Sequence, residues 1–192
     1  MFRYLVLIVL IVSAVHPTMA GDRFFPKGSL SDNADASEFM ELWYGKHLRA
    51  MNEGLLTDAD AGQHVYRLTW LRTFHHPMVF RLAIAQDGTV ELHVKVTSGA
   101  GGYDPGVLTV NKTIHLTKVQ ADIMLAGLEQ IEFWTMTSYL ERTGVDGAEW
   151  IVEGVKNARY HVVDRWSPEG SAFQFWALSL MWLSGMDLEP IY

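Results

Sequence analysis

An acidic residue and a histidine near the C-terminus have the spacing to meet across a β-hairpin. Alternating polar and apolar residues predict two strands between residues 149 and 166, and Lys156-Asn157-Ala158 is interpreted as the loop that joins them. In this register Glu153 lies opposite His161. A carboxylate beside an imidazole raises the pKa of the imidazole, so the two residues are candidates for a catalytic acid–base pair. The same pairing also describes an ordinary ion pair on a solvated strand, and no nucleophile can be placed beside it.

The same hairpin register places three further charged residues. Glu149 lies opposite Arg165, which predicts a cross-strand ion pair whose members are candidates for ligand binding. Asp164 falls among tryptophans on the apolar face, where an unpaired carboxylate is costly. We therefore expect Asp164 to have a partner, either an arginine, a tryptophan N–H or the backbone amides near Ser167, and to serve as a structural clamp.

A second candidate group lies on the strands on either side of Gln86-Asp87-Gly88. A three-residue loop with Gly88 at positive φ places the hydrophobic residues of both strands on one face. The opposite face then carries Arg81, Ala83, Glu91, His93 and Lys95. Of these, Arg81, Glu91 and His93 are candidates for binding. Glu91-x-His93, near His115, has the spacing of metal sites in sheets, but the neighbouring cations oppose a divalent ion and no metal is expected. An acid–base pair of Glu91 with His93 is the alternative.

Residues 98–106 form a glycine-rich loop between two predicted strands. The loop lacks the Gly-Lys-Ser/Thr ending of phosphate-binding loops, and it leads into a strand instead of the N-terminus of a helix. We interpret it as a mobile rim that presents Tyr103 and Asp104 to a ligand. The alternative is a plain connection, because glycines of this kind commonly serve turns.

The composition limits the classes of protein to which this chain can belong. The chain has 192 residues, of which 49% are hydrophobic and 19% charged, and it contains no cysteine. Such a chain can bury a core of its own, and the lack of cysteine excludes thiol catalysis. The formal net charge of −7 argues against sequence-independent binding to nucleic acid. No Gly-x-Ser-x-Gly, His-Glu-x-x-His or EF-hand motif is present, and no cofactor is expected.

Hydrophobic periodicity divides most of the chain into helices and strands. We predict a helix over residues 36–54, four strands between residues 64 and 116, a helix that begins at a capping box of Thr117 and Gln120, the hairpin described above and a last helix over residues 172–186. The last helix is apolar almost all round, so we expect it to be sandwiched in the core. This order predicts an α+β fold, with an antiparallel sheet of about six strands and helices packed on its apolar face. The charged face is expected to meet solvent.

The first twenty residues have the features of a secretory signal peptide. A short positive segment precedes an apolar run at residues 4–15, and we expect cleavage between Ala20 and Gly21. Residues 21–35 are predicted to form a flexible arm, which leaves residues 36–192 as a single domain. A cysteine-free exported chain suits the periplasm of a bacterium, or secretion from it, with no membrane contact after cleavage. The alternative is that residues 4–15 stay in the inner membrane, although the run is shorter than the roughly 20 residues that span a bilayer.

Four segments of the chain resemble a group of uncharacterised exported bacterial proteins. The resemblance is carried by residues 146–150 and 160–168, with similar features at residues 66–77 and 101–106. It implies export and a shared fold, and it carries over no activity and no site residue. We therefore expect an exported, non-catalytic binding or interaction protein whose ligand is a protein or a small molecule. The alternative is a periplasmic hydrolase that uses a His/Glu pair.

Overall fold

The strands form one sheet, and helices lie on both of its faces. A computed structural model describes residues 23–57, 62–141 and 144–192. In these ranges the elements are α1 (Ala34–Ala50), β1 (His64–Arg72), β2 (Met78–Ile84), β3 (Val90–Thr97), β4 (Leu108–His115), α2 (Lys118–Gln130), a short 3-10 helix (Phe133–Thr135), β5 (Ala148–Lys156), β6 (Arg159–Trp166) and α3 (Ala172–Trp182). The six strands are antiparallel in the order β4-β3-β2-β1-β5-β6, which confirms the predicted α+β class. The predicted signal peptide, residues 1–20, lies outside the described residues.

One face of the sheet carries the large apolar side chains and packs against α2 and α3. Trp70, Phe80 and Trp150 are completely buried in this core. The last helix is not sandwiched as predicted, because Phe175 and Trp182 on its outer side are each 61% exposed. No helix in the described ranges is long and apolar enough to cross a membrane.

The other face of the sheet is covered by α1 and by residues 23–33, so the expectation that it meets solvent is wrong. Tyr44 and Leu48 of α1 are completely buried in a second core. The sheet contributes four apolar residues to this core, and charged residues lie between them on the same face. The four are Leu71, Val79, Ile151 and Val162. Because these residues are interspersed with acids and bases, the sequence pattern did not reveal that a helix docks on them.

The segment expected to be a flexible arm is packed in the structure. Phe24, Phe25 and Leu30 are each 3% exposed or less. The carboxylate of Glu41, itself buried in α1, accepts hydrogen bonds from the backbone N–H groups of Phe24 (2.9 Å) and Phe25 (3.0 Å). The arm was judged by its polar residues, whereas three apolar side chains and one buried carboxylate determine its position.

Two local predictions are confirmed. In the β2–β3 hairpin Ile84 pairs with Val90, and Gly88 has a φ of +85°, as the three-residue loop requires. At the start of α2, the side chain of Thr117 accepts from the backbone N–H of Gln120, and the side chain of Gln120 accepts from the backbone N–H of Thr117. Both signals depend on a few adjacent residues, which is why sequence alone revealed them.

The predicted register of the β5–β6 hairpin is wrong by one residue. The loop contains only Asn157 and Ala158, with φ values of 52° and 59°, as in a tight two-residue turn. Glu153 therefore pairs with Val162, and His161 pairs with Gly154. A one-residue slip moves every side chain of β6 to the other face of the sheet.

Candidate functional site

The predicted acid–base pair is not formed, because its two members lie on opposite faces of the sheet. Glu153 is completely buried and accepts hydrogen bonds from Arg67 Nε (2.8 Å) and the Tyr160 hydroxyl (3.1 Å). His161 packs edge-on against Phe133, with 5.2 Å between ring centroids, and its Nε2 donates to a backbone carbonyl. Burial lowers the pKa of His161, so its imidazole is neutral at pH 7.

Glu153 belongs to a buried ion cluster of five residues beneath α1. Glu53 accepts from Lys95 Nζ (2.7 Å), Arg81 Nε (3.1 Å) and Arg67 Nη1 (3.3 Å), while Arg67 Nη2 lies 2.7 Å from Glu153. Burial raises the pKa of Glu53, but the three cations, Arg67 first, outweigh it and hold the pKa below its usual value. The cluster includes the predicted binding residue Arg81, and each of its three cations contacts at least one of its two carboxylates, which indicates a structural role.

The other predicted residues of the hairpin are also part of the fold. Arg165 pairs with Trp150 instead of Glu149, and its guanidinium donates to the carbonyl oxygens of Thr137 (2.6 Å) and Asp164 (2.7 Å). Glu149 is buried on the opposite face, under α1. The carboxylate of Asp164 accepts from the hydroxyl of Tyr44 at 2.8 Å, so it does clamp the structure, but from the α1 side and with a partner that we did not expect.

Glu91 and His93 lie on one face as predicted and are in contact. Glu91 Oε2 lies 3.2 Å from His93 Nε2, and its Oε1 lies 3.3 Å from His115 Nδ1. The hydroxyl of Thr113 lies 3.0 Å from His93 Nδ1. Burial and then Arg81 lower the pKa of His93 despite Glu91. Among the described residues, no group of three or more His, Asp or Glu side chains could hold a metal ion.

The structure places a cleft of about 620 Å³ beside the glycine-rich loop. Its walls are the outer side of α1, the loop itself and the turn that precedes β5. We call it the aromatic cleft, and its lining is formed by Phe39, Leu42, Trp43, Lys46, Thr73, Gly102, Tyr103, Val145, Asp146 and Trp166. Of the two loop residues predicted to contact a ligand, Tyr103 lines the cleft. Asp104 does not, and its carboxylate instead accepts from the backbone N–H of Gly106 at 2.8 Å.

The glycine-rich loop is held firmly at the edge of this cleft. Its backbone N–H groups at Gly101 and Gly102 donate to the carbonyl oxygens of His75 (3.0 Å) and Thr73 (3.1 Å), and Trp43 Nε1 donates to the carbonyl of Gly101 at 2.8 Å. A Cβ atom on Gly101 would come within 2.6 Å of the carbonyl oxygen of Arg72, so only glycine permits this approach. The loop expected to be a mobile rim is therefore a positioned wall of the cleft.

Thr73 connects the two loops that flank the cleft. Its hydroxyl and its backbone N–H both donate to the carbonyl of Gly147 at 2.9 Å, and its hydroxyl also accepts from the N–H of Gly147 at 3.1 Å. Its carbonyl receives the hydrogen bond from Gly102 described above. Both loops are consequently fixed to the end of β1, and the cleft is formed before any ligand arrives.

The cleft exposes apolar side chains that a folded protein usually buries. Phe39, Leu42 and Tyr103 are each about 60% exposed, and Tyr103 lies 6.1 Å from the exposed ring of Phe74. A contiguous exposed apolar patch commonly marks a place where something binds. Flat aromatic faces offer dispersion contacts to an apolar body and an attractive surface to a cation.

Most residues of the cleft were missed in the sequence. The sequence predicted a helix over residues 36–54 and gave Phe39 and Trp43 no role in binding, whereas α1 has an outer stripe as well as a buried one. The outer stripe follows the spacing i, i+3, i+4, i+7, with the apolar residues Phe39, Leu42 and Trp43 followed by the charged Lys46. That spacing was available in the sequence, but nothing in it pointed to Asp146 or Trp166, which lie about a hundred residues further along the chain.

Comparison with known proteins adds no assignment to this geometry. No protein-family model matches the chain, and a search of the curated proteins gave no match.

Proposed function

We propose that this chain is an exported binding protein without catalytic activity, and that it holds a ligand with a flat or apolar body in the aromatic cleft. The observation that carries the proposal is the pair Phe39 and Tyr103, about 60% exposed on two different walls of one positioned cleft. A volume of about 620 Å³ lies within the usual range for small-molecule sites, which are mostly apolar and largely preformed. Location in a bacterial periplasm, or secretion, is part of the proposal and is supported by the signal-peptide features of residues 1–20.

A dye titration tests whether the cleft binds apolar ligands. Nile red, an uncharged dye whose fluorescence rises in apolar surroundings, is titrated into the purified protein. We expect saturable binding, and we expect Tyr103→Ala and Phe39→Ala each to weaken it about tenfold, because each removes an aromatic wall. Phe175→Ala is the matched control, since this ring is equally exposed but lies on α3. Equal affinity in all four proteins, or no saturable binding, overturns the proposal.

The alternative function, a periplasmic hydrolase with a His/Glu pair, is supported by the contacts of His93. Thr113, His93 and Glu91 are connected in the order of a nucleophile, a base and an orienting acid. Against this function, Thr113 is exposed on the edge strand β4, and burial, followed by the cation Arg81, lowers the pKa of the His93 imidazole. Hydrolysis of p-nitrophenyl acetate that is lost in both Thr113→Val and His93→Gln, with the fold intact, would establish the hydrolase and displace the binding protein.

A further inference from the structure

Two opposite charges line the aromatic cleft and do not pair with each other. Lys46 lies on the outer stripe of α1, and Asp146 lies in the turn before β5. Both residues are exposed, and among the described residues neither forms an ion pair. A ligand that fills the space between them meets a cation on one wall and an anion on another. The charge complementarity of the cleft therefore favours a zwitterion over a compound of single charge.

Two polar side chains of the cleft walls are engaged in holding the loops. The hydroxyl of Thr73 is bonded to Gly147, and the indole N–H of Trp43 is bonded to the carbonyl of Gly101. A primary ammonium brings three N–H donors, and Asp146 is the one carboxylate among the described residues of the lining. A quaternary ammonium has no N–H group, and it gains from the faces of tryptophan and tyrosine rings. Three residues with such rings, Trp43, Tyr103 and Trp166, line the cleft.

From these two observations we propose that the ligand is a zwitterion that joins a quaternary ammonium to an anionic oxygen group, and we take phosphocholine as its simplest probe. The ammonium lies against the aromatic rings near Asp146, and the anionic group faces Lys46. This inference rests on the proposed function, because it names the ligand class of the same cleft. The cleft is large enough for a phosphodiester with a further substituent, so the zwitterion is either a free compound or the headgroup of a phosphatidylcholine lipid.

Isothermal titration calorimetry with a set of related probes tests each part of the proposal. Phosphocholine should bind at least threefold more tightly than choline or inorganic phosphate, because only phosphocholine satisfies both charges. Phosphoethanolamine, which has the same charges but a primary ammonium, should bind about tenfold more weakly than phosphocholine. Equal affinity for phosphocholine and phosphoethanolamine, or no detectable heat with either, overturns the proposal.

Two variants connect the probes to the two charged residues. Lys46→Met should lower the affinity for phosphocholine to that for choline and leave the affinity for choline unchanged. Asp146→Asn should weaken both choline and phosphocholine at least threefold. Lys118→Met is the control, since this lysine is equally exposed but belongs to an ion pair at the start of α2. If Lys46→Met and Asp146→Asn bind the probes as the unchanged protein does, the zwitterion is not held in this cleft and the inference is wrong.

Nile red separates the failure of this inference from the failure of the proposed function. Binding of the dye without displacement by phosphocholine contradicts the zwitterion but keeps a binding protein, whereas no dye binding contradicts both. Flotation with vesicles then identifies the source of the zwitterion. Retention by phosphatidylcholine vesicles, but not by phosphatidylglycerol vesicles, supports a lipid headgroup, and binding of free phosphocholine alone supports a free compound. Binding to both kinds of vesicle contradicts recognition of the zwitterion.

Discussion

At the scale of single residues, Glu153 shows how a candidate for chemistry becomes part of the framework. Its carboxylate is completely buried, and it holds the equally buried guanidinium of Arg67. Removing one partner of a buried pair leaves the other charge without full compensation. We expect Glu153→Gln to lower the free energy of unfolding by about 3 kcal/mol or more, measured by urea denaturation.

The contact of Glu91 with His93 supplies the control for this substitution. Its side chains are 37% and 22% exposed, so solvent compensates for the loss of the pair. Glu91→Gln should therefore cost less than about 1 kcal/mol. A loss as small for Glu153→Gln would show that the buried ion cluster does not depend on this carboxylate.

From the sequence we predicted that Tyr103 contacts a ligand, and the structure places it in the lining of the cleft. The sequence did not point to the charged residues of the cleft or to its other aromatic residues. Tyr103 follows two glycines in a loop, and these immediate neighbours indicate that its side chain is exposed. Lys46 and Asp146 carry no such local signal, because each is an ordinary surface charge until the fold brings their elements together. Residues whose role depends on long-range packing are not predictable from their own surroundings in the sequence.

At the scale of elements, two hairpin turns offer a reciprocal test of backbone conformation. Ala158 has a φ of 59°, a region that side chains with a Cβ atom disfavour, and Gly88 has a φ of +85° with open space around its Cα. Ala158→Gly should therefore raise the free energy of unfolding by about 0.5–1 kcal/mol, and Gly88→Ala should lower it by about 1 kcal/mol. Thermal denaturation monitored by circular dichroism measures both.

The two turns also explain why one hairpin was predicted and the other was not. Asp87-Gly88 indicates a turn, and the alternation of apolar and polar residues in β2 and β3 agrees with only one loop length. Asn157-Ala158 lacks the glycine that commonly marks a two-residue turn, and the flanking strands carry charges on both faces. The predicted register paired the opposite charges of Glu149 with Arg165 and of Glu153 with His161, but the folded chain uses a different register. If Ala158→Gly were to destabilise the protein, the strain assigned to this turn would be contradicted.

At the scale of the whole molecule, the three-layer arrangement makes stability depend on pH through His47. This histidine of α1 is completely buried, and burial, followed by the neighbouring Lys46, lowers its pKa to about 4 from 6.5. Between these values the unfolded chain binds a proton that the folded protein does not. The contribution of His47 to the free energy of unfolding is therefore fully present above pH 6.5 and is lost as the pH falls towards 4. The loss is about 3 kcal/mol, at 1.36 kcal/mol per pKa unit.

Urea denaturation at pH values from 7 to 4 measures this dependence, and His47→Gln serves as the comparison. The other histidines with lowered pKa values contribute equally to both proteins, so the difference between the two curves isolates His47. We expect the variant to lose markedly less stability over this interval. Parallel curves would mean that His47 is not held neutral by the fold.

The class of fold was predictable because the periodicity of hydrophobic residues within each segment indicates the order of helices and strands. The position of α1 on the second face of the sheet was not predictable. A sheet face with mixed polar and apolar residues can meet solvent, or it can pack against a helix that supplies matching partners. Glu41 and Asp164 are examples, because the carboxylate of Glu41 is matched by the backbone N–H groups of Phe24 and Phe25, and that of Asp164 by the hydroxyl of Tyr44. Such matches arise between distant parts of the chain.

The position of Thr73 has a consequence for any attempt to change what the protein recognises. One hydroxyl and one carbonyl group tie the glycine-rich loop and the turn before β5 to the same point. A graft that alters the length of either loop will disturb its neighbour as well. Libraries for new specificity should therefore randomise the outer stripe of α1, where side chains change without moving backbone, and leave both loops intact.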